Sequence, residues 1–251
     1  MAHPIRLIVS DIDGCLGPGE GRPYDLGVLG RVADWNRRAK AGEGVPPVTL
    51  CSGRPAGYVD AMMQAIAGYL PAVFENGGGL YYPEGYRFAW NPALAPGARA
   101  MMRRARDLVE EQVIRPGLAH LQPGKETAVT LLPTPGHTLD EVGLAVSAAL
   151  QGEALPCRVE VSVSTVGLWL DGIDKGSGVR WLARETGISL AEMAGVTDTW
   201  DDLPFLRIVG FRAAPANADP EVKESAEYVS PYENGRGLID IIEQVLLRRA
   251  S

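Results

Sequence analysis

The stretch Leu7-Ile8-Val9-Ser10-Asp11-Ile12-Asp13-Gly14 decides the fold of this chain. Its first half belongs to an apolar run over residues 4–10, which is typical of a strand buried in a parallel sheet. Its second half places two carboxylates, Asp11 and Asp13, at the strand end, where they can flank one ligand. Gly14 permits the sharp turn that follows. The same pattern also fits an Asx turn that merely ends a strand.

Alternating strands and helices surround this stretch. The predicted strands of the alternation lie at 4–10, 47–51, 72–75, 194–197 and 207–210. Such alternation indicates an α/β fold with a Rossmann-like core and a parallel sheet. Between the strands predicted at 72–75 and 194–197, hairpin strands and two helices predict a separate, inserted α+β domain. We therefore expect a core of residues 1–79 and 172–251 and an insert of residues 80–171.

Composition and charge exclude several classes of protein. The 251 residues carry 24 Lys and Arg against 31 Asp and Glu, a net charge of −7. A nucleic-acid-binding protein usually shows a basic stripe, and this chain has none, so we expect no nucleic-acid partner. No apolar stretch reaches the roughly 18 residues of a membrane span, so we expect no membrane partner. The three cysteines are far apart and form no CxxC pair, which favours the reducing cytoplasm.

Carboxylates must carry any chemistry in this chain. Only three histidines occur, His3, His120 and His137, and they share no metal-ligand spacing. The glycine-rich motifs of P-loop and dinucleotide-binding proteins are missing. A Ser-His-Asp or Cys-His system finds no suggestive context either.

Two further segments offer anion sites at predicted helix starts. Ser52-Gly53-Arg54-Pro55 combines a hydroxyl with the backbone N–H groups of a helix start, although Ser52 alone is also typical of a helix N-cap. Arg54 has two interpretations, a contact with substrate or an ion pair with a surface carboxylate. Asp174-Lys175-Gly176-Ser177-Gly178 sets a cation beside such donors, although a single lysine in a glycine-rich loop is usually a surface residue.

A fourth segment, Thr197-Asp198-Thr199-Trp200-Asp201-Asp202, brings three carboxylates close together after an apolar strand. Gathering such charges is costly unless a cation neutralises them. Oxygen ligands of this kind suit Mg²⁺. The alternative interpretation is an acidic surface turn in which Asp201 or Asp202 caps a helix.

In this order, the four segments resemble the motifs of the haloacid dehalogenase (HAD) superfamily. The position and α+β pattern of the insert resemble the C2B-type cap, a substrate-specificity domain of the Cof-type and phosphomannomutase-like subfamily. Glu75-Asn76-Gly77-Gly78 resembles the ENG segment that precedes this cap. Two positions depart from the motifs, since Thr197 stands where a glycine is usual and Asp201 where an asparagine is usual.

The resemblance assigns roles to individual residues. The catalytic residues that it implies are Asp11, Asp13, Ser52 and Lys175. The phosphate-binding and substrate-binding residues are Gly53, Arg54, Asn76 and Gly77. The residues of the implied Mg²⁺ site are Asp11, Asp13, Asp198 and Asp202, with Asp201 as the alternative to Asp202.

The implied function is that of a magnesium-dependent phosphatase. It would hydrolyse small phosphorylated metabolites, such as a sugar phosphate or a phosphoglycolate-like acid, through an aspartyl-phosphate on Asp11. Asp13 favours phosphoryl chemistry, because dehalogenases of the superfamily lack this second aspartate. A phosphomutase-type phosphotransferase and a non-catalytic sensor of phosphorylated metabolites are the alternatives. The sequence indicates no oligomeric state.

Overall fold

A computed structural model describes residues 3–19, 21–153, 155–162 and 164–250 of the chain. Its strands are β1 (Leu7–Ser10), β2 (Val48–Leu50), β3 (Ala72–Phe74), β4 (Gly79–Tyr82), β5 (Arg87–Trp90), β6 (Ala119–Leu121), β7 (Ala128–Pro133), β8 (Cys157–Val161), β9 (Val166–Leu170), β10 (Met193–Val196), β11 (Phe211–Ala214) and β12 (Tyr228–Val229). Its helices are α1 (Leu26–Lys40), α2 (Ala56–Ala65), α3 (Ala98–Val109), α4 (Leu139–Ala149), α5 (Lys175–Thr186), α6 (Leu203–Leu206), α7 (Pro220–Ser225) and α8 (Asn234–Ala250).

A five-stranded parallel sheet forms the centre of the larger part of the molecule. Its strand order is β12-β11-β10-β1-β2, and every neighbouring pair is parallel. The strand β1 lies inside the sheet and all four of its residues are buried, as its continuous apolar run requires. The predicted α/β fold with a parallel-sheet core is therefore confirmed. In such sheets ligands bind beyond the carboxyl ends of the strands.

The chain divides into two compact units, Met1–Asn91 with Asp174–Ser251 and Pro92–Ile173. The hairpin of β4 and β5 belongs to the first unit, because β4 pairs with β3 along its length. The observed division therefore lies at 92 and 173, where the sequence predicted 80 and 171. The functional assignment of the two units, as catalytic core and substrate-specificity cap, stays a prediction.

The second unit is an antiparallel sheet covered by two helices. Its strand order is β6-β7-β9-β8. One face of this sheet packs with α3 and α4 in a core that includes Met102, Leu131, Val146 and Leu168. A capping box of Thr138 and Glu141 fixes the start of α4.

The strand predicted at 207–210 is wrong, because β11 begins one residue later. Gly210 lies so close to the backbone of Ala191 that a Cβ on it would meet the Ala191 carbonyl oxygen at 2.0 Å. Its N–H donates to the carbonyls of Leu190 and Met193. These contacts make 207–210 a turn, and regular pairing with β10 begins at Phe211.

None of the described helices has the length and apolar character needed to cross a membrane.

Candidate active site

Asp11 follows β1 at the carboxyl edge of the parallel sheet. Its backbone N–H donates to the carbonyl of Val196, and its Oδ1 accepts from the N–H of Ile12 at 2.7 Å. Gly14 completes the turn with a φ of 75°, and a Cβ there would meet Asp198 Oδ2 at 1.8 Å. Position 14 therefore requires glycine for two reasons, the positive φ and the close approach of Asp198.

Lys175 bridges two buried carboxylates. Its Nζ lies 2.9 Å from Asp11 Oδ2 and 2.6 Å from Asp202 Oδ2, and all three side chains are at most 7% exposed. Burial disfavours the ammonium, but Asp11 and Asp202 more than offset that cost and hold the pKa of Lys175 well above its ordinary value. Lys175 is therefore a fixed positive charge between the two carboxylates.

A capping box of Asp174 and Ser177 fixes the start of α5, where Lys175 lies. Asp174 Oδ1 accepts from the N–H of Ser177 at 2.6 Å, and Ser177 Oγ accepts from the N–H of Asp174 at 3.1 Å. This capping box makes Lys175 the first residue of α5. The alternative interpretation of Lys175, a surface residue in a glycine-rich loop, does not hold, since its side chain is 7% exposed.

Asp198 is a second acidic centre of the site. Burial and the negative charge of Asp11 raise the pKa of Asp198 to about 7. Its contacts are the Cys15 thiol, with Sγ at 3.7 Å from Oδ1, and the Asn217 amide, with Nδ2 at 3.3 Å from Oδ2. Both are neutral groups at long distance, so they offset little of its charge.

Arg54 holds Asp13 with a two-bonded fork. Its Nε donates to Asp13 Oδ2 and its Nη2 to Asp13 Oδ1, both at 2.7 Å. The guanidinium also lies over the ring of Tyr58, 4.7 Å from its centroid, and the hydroxyls of Tyr58 and Tyr24 are 2.8 Å apart. Arg54 therefore forms an ion pair, but with the partly buried Asp13 rather than with a surface carboxylate, and its contact with substrate stays a prediction.

A loop of consecutive left-handed residues lies against the turn after β2. Glu75, Asn76 and Gly77 have φ values of 49°, 51° and 96°. Asn76 N–H donates to the carbonyl of Ser52, and Asn76 Oδ1 would be 2.8 Å from a Cβ on Gly53. Two loops that brace each other therefore contain the predicted catalytic residue Ser52 and the predicted phosphate-binding or substrate-binding residues Gly53, Asn76 and Gly77.

The fit of a metal ion rests on Asp11 and Asp198. Across the described part of the chain, no three or more His, Cys, Asp or Glu side chains converge as metal ligands. Asp13 is engaged by Arg54, and Asp202 Oδ2 accepts from both Lys175 and Thr197. Asp198 is buried beside Asp11, and a bound divalent cation would stabilise the negative charge of these two carboxylates. Carboxylate oxygens are also the donors that Mg²⁺ prefers, so the residues fit this ion.

Sequence reasoning missed Asn217, which links three segments of the site. Its Nδ2 donates to the carbonyl of Gly14 at 2.9 Å as well as to Asp198, and its Oδ1 accepts from the N–H of Asn234 at 2.8 Å. The sequence signal for Asn217 is its position just after a strand of the parallel sheet, and the prediction of that strand at 207–210 instead of 211–214 hid it. With β11 ending at Ala214, Asn217 falls in the loop beyond a carboxyl strand end, where site residues are expected.

The sequence has recognisable relatives. The model of the family described as haloacid dehalogenase-like hydrolase matches residues 163–242. A phosphoglycolate phosphatase of Methanothermobacter thermautotrophicus is 35% identical over 74 residues, which are 30% of this chain and 34% of that protein. The chain thus spans about a third of the length of the first curated relatives that it matches. A phosphoglycolate phosphatase of Methanococcoides burtonii is 25% identical over 248 residues, 96% of this chain and 97% of that protein.

Solved structures share the fold over nearly the whole chain. A protein of Thermoplasma acidophilum superposes with a TM-score of 0.73 at 20% identity, covering 98% of this chain and 100% of that one. The sucrose-phosphatase of Synechocystis, solved with sucrose and phosphate, superposes with a TM-score of 0.65 at 13% identity, covering 96% and 98%. At such identities the likeness concerns the fold alone.

Proposed function

We propose that the chain belongs to the haloacid dehalogenase-like hydrolases, whose family model matches residues 163–242, and that it is a magnesium-dependent phosphatase of small phosphorylated metabolites. The observation that carries this proposal is the bridge of Lys175 between Asp11 and Asp202. A nucleophilic carboxylate needs to be ionised, and a phosphoryl group needs positive charge beside it. At the carboxyl edge of the sheet, the ammonium of Lys175 stabilises the ionised carboxylate of Asp11 and supplies positive charge for the phosphoryl group.

In the proposed first step, Asp11 Oδ attacks phosphorus while the bond from phosphorus to the leaving oxygen breaks. Burial raises the pKa of Asp11, and Lys175 opposes this shift and keeps the carboxylate available as an anion. To act as the acid, Asp13 carries a proton on one oxygen, which gives up its bond from Arg54, while the other bond of the fork keeps the carboxyl group oriented. That proton passes to the leaving oxygen. The Ser52 hydroxyl already accepts from the N–H of Arg54, so its own proton is free to be donated to a phosphoryl oxygen.

In the proposed second step, water cleaves the aspartyl-phosphate. Asp13 takes a proton from the water, whose oxygen attacks phosphorus, and the bond from phosphorus to Asp11 breaks. Inorganic phosphate leaves and Asp11 is restored as a carboxylate. Each residue thus ends the cycle in the state in which it began.

Magnesium is the proposed cofactor. Asp11, Asp198 and the backbone carbonyl of Asp13 are the groups that would hold it, and Asp202 and Asp201 stay predicted outer residues. When bound, the ion would neutralise charge on the phosphoryl oxygens. Asn217 keeps Asp198 in place through its bonds to Gly14 and Asn234.

The proposed substrates are small phosphorylated acids and sugar phosphates. Phosphoglycolate is the first of these proposed substrates, because several relatives are named phosphoglycolate phosphatase. The cytoplasm stays the proposed location, in keeping with the free cysteines Cys15, Cys51 and Cys157.

The test is phosphate release from a panel of phosphorylated acids and sugar phosphates, with Mg²⁺ and with EDTA. We compare the wild type with Asp11→Asn and with a matched control, Asp34→Asn, whose carboxylate is exposed and pairs with Arg37. We expect metal-dependent release that Asp11→Asn abolishes and Asp34→Asn leaves intact. Absence of release from every compound by a folded protein would refute the proposal. Transfer of the phosphoryl group to a sugar rather than to water would favour the phosphotransferase.

A further inference from the structure

Thr197 occupies the position at which the motif usually has a glycine, and it contributes a hydroxyl that glycine lacks. The residue is fully buried directly after β10. Its Oγ1 lies 2.5 Å from Asp202 Oδ2. That oxygen also accepts from Lys175 Nζ at 2.6 Å. The hydroxyl is therefore part of a buried chain of contacts that runs from Thr197 through Asp202 and Lys175 to Asp11.

The physical effect of this hydroxyl is to restrict Asp202. A carboxylate can rotate about its last bond, and a lysine ammonium on a four-carbon stem has no preferred direction of its own. Thr197 has a branched side chain with restricted rotamers, and full burial prevents its displacement. Two donors on one oxygen fix the carboxylate of Asp202, and Asp202 in turn fixes where Lys175 lies.

The position of Lys175 matters because Asp11 competes for it. Lys175 Nζ is 2.9 Å from Asp11 Oδ2 and 2.6 Å from Asp202 Oδ2. A movement of Asp202 would draw the ammonium away from Asp11 or release it toward Asp11. Either change alters the positive charge that the nucleophile and the phosphoryl group meet.

We propose that Thr197 is a positioning residue whose hydroxyl, through Asp202, fixes Lys175 at the nucleophile Asp11. This inference rests on the proposed phosphatase function for its kinetic consequence. Its structural consequence, the position of Lys175, is independent of that function.

The experiment compares Thr197→Val, which removes the hydroxyl at nearly constant volume, with Thr197→Ser, which keeps it. Thr186→Val is the matched control, because Thr186 donates to the Leu182 carbonyl at the far end of α5, away from Lys175. We expect Thr197→Val to lower kcat by about 10–100-fold with little change in KM. Thr197→Ser should restore most of kcat, and Thr186→Val should leave it unchanged. If Thr197→Val fails to fold, Thr197→Gly removes the hydroxyl without adding an apolar group.

Crystal structures of the wild type and of the hydroxyl-free variant separate the two proposals. We expect the distance from Lys175 Nζ to Asp11 Oδ2 to change when the hydroxyl is removed and to persist in Thr197→Ser. An unchanged distance together with wild-type kcat in the hydroxyl-free variant overturns the inference. A serine variant as impaired as the valine variant overturns it too. If the wild type releases no phosphate at all, the proposed function fails, while the measured distance still decides the role of Thr197.

Discussion

Asp198 is a carboxylate that is buried beside the carboxylate of Asp11 and accepts from the neutral side chains of Cys15 and Asn217. Burial and the charge of Asp11 raise the pKa of Asp198 to about 7. In the unfolded chain the same group titrates several pH units lower, so the folded state holds the extra proton between the two values. The free-energy contribution of Asp198 to folding therefore becomes less favourable as the pH rises through this window.

The first prediction concerns Asp198→Asn, which removes this ionisation. At about pH 8 without metal, we expect the variant to exceed the wild type in free energy of unfolding by about 1–3 kcal/mol. The difference should shrink as the pH is lowered toward about 5. Urea unfolding at both pH values measures it. A difference that does not depend on pH would contradict the assigned ionisation.

The second prediction concerns metal binding by the same residue. Mg²⁺ should raise the unfolding free energy of the wild type, because it binds the folded state alone, and Asp198→Asn should lose most of this gain. Since the ion needs the ionised carboxylate, the gain should be larger above pH 7 than below it. Asp34→Asn, with its exposed carboxylate, is the control and should respond to Mg²⁺ as the wild type does. An equal gain in Asp198→Asn would exclude Asp198 as a ligand.

Arg54 carries the third prediction. Its fork fixes Asp13 with two bonds, whereas a lysine offers one compact charge. We expect Arg54→Lys to lower kcat by about 10-fold or more, although the charge is kept. Arg31→Lys is the matched control, because Arg31 pairs with Glu243 on the surface. Steady-state kinetics on the best substrate measures both variants, and equal kcat values would show that the fork is dispensable.

At the scale of elements, the loops after β2 and β3 are joined by backbone hydrogen bonds. The loop after β3 places non-glycine residues, Glu75 and Asn76, in the left-handed region. Such conformations cost about 1–3 kcal/mol each and persist only where surrounding contacts impose them. Here the N–H groups of both residues donate to the loop after β2, at the carbonyls of Arg54 and Ser52.

The fourth prediction uses two glycines with similar backbone conformations. Gly77 and Gly85 have φ values of 96° and 82°, so alanine is strained at both. A Cβ on Gly77 would meet the Asp174 carbonyl oxygen at 2.1 Å, whereas a Cβ on Gly85 meets nothing within 4 Å. We expect Gly77→Ala to lose at least about 1–3 kcal/mol more stability than Gly85→Ala. Thermal or urea unfolding measures the difference. Equal losses of stability would show that the close approach of Gly77 to the Asp174 carbonyl does not contribute to the cost of the substitution.

At the scale of the whole molecule, the chain consists of two units that each have a core of their own. A core cluster that includes Leu131 and Leu168 lies wholly within Pro92–Ile173. The clusters beside the parallel sheet lie wholly within Met1–Asn91 and Asp174–Ser251. A domain with its own hydrophobic core can in principle fold alone.

The fifth prediction is that residues 92–173 fold when they are produced alone. Their sheet and two helices should give a single cooperative urea transition and dispersed amide signals in NMR spectra. A variant with Leu131→Ala, which truncates a buried core residue of β7, should unfold at lower urea, by about 2–5 kcal/mol. A gradual, non-cooperative transition of the isolated segment would show that it depends on the rest of the chain.

The sequence by itself determined the α/β class, the parallel sheet and the segments that follow β1, β2 and β10. These features follow from local signals, because an apolar run, a turn glycine and a cap such as Thr138 act on their own neighbourhood. It also named Asp11, Lys175 and Asp202, which the structure joins through one ammonium. Their functional roles stay proposals.

Only the tertiary structure decided the contacts between segments that are distant in the chain. The fork of Arg54 on Asp13, the link of Asn217 to Gly14, and the hydroxyl of Thr197 on Asp202 have no local signature. The boundary at 92 and the start of β11 at Phe211 were likewise set by packing and pairing with remote residues. Such contacts depend on the closure of long loops around a formed sheet, so periodicity and local propensity do not encode them.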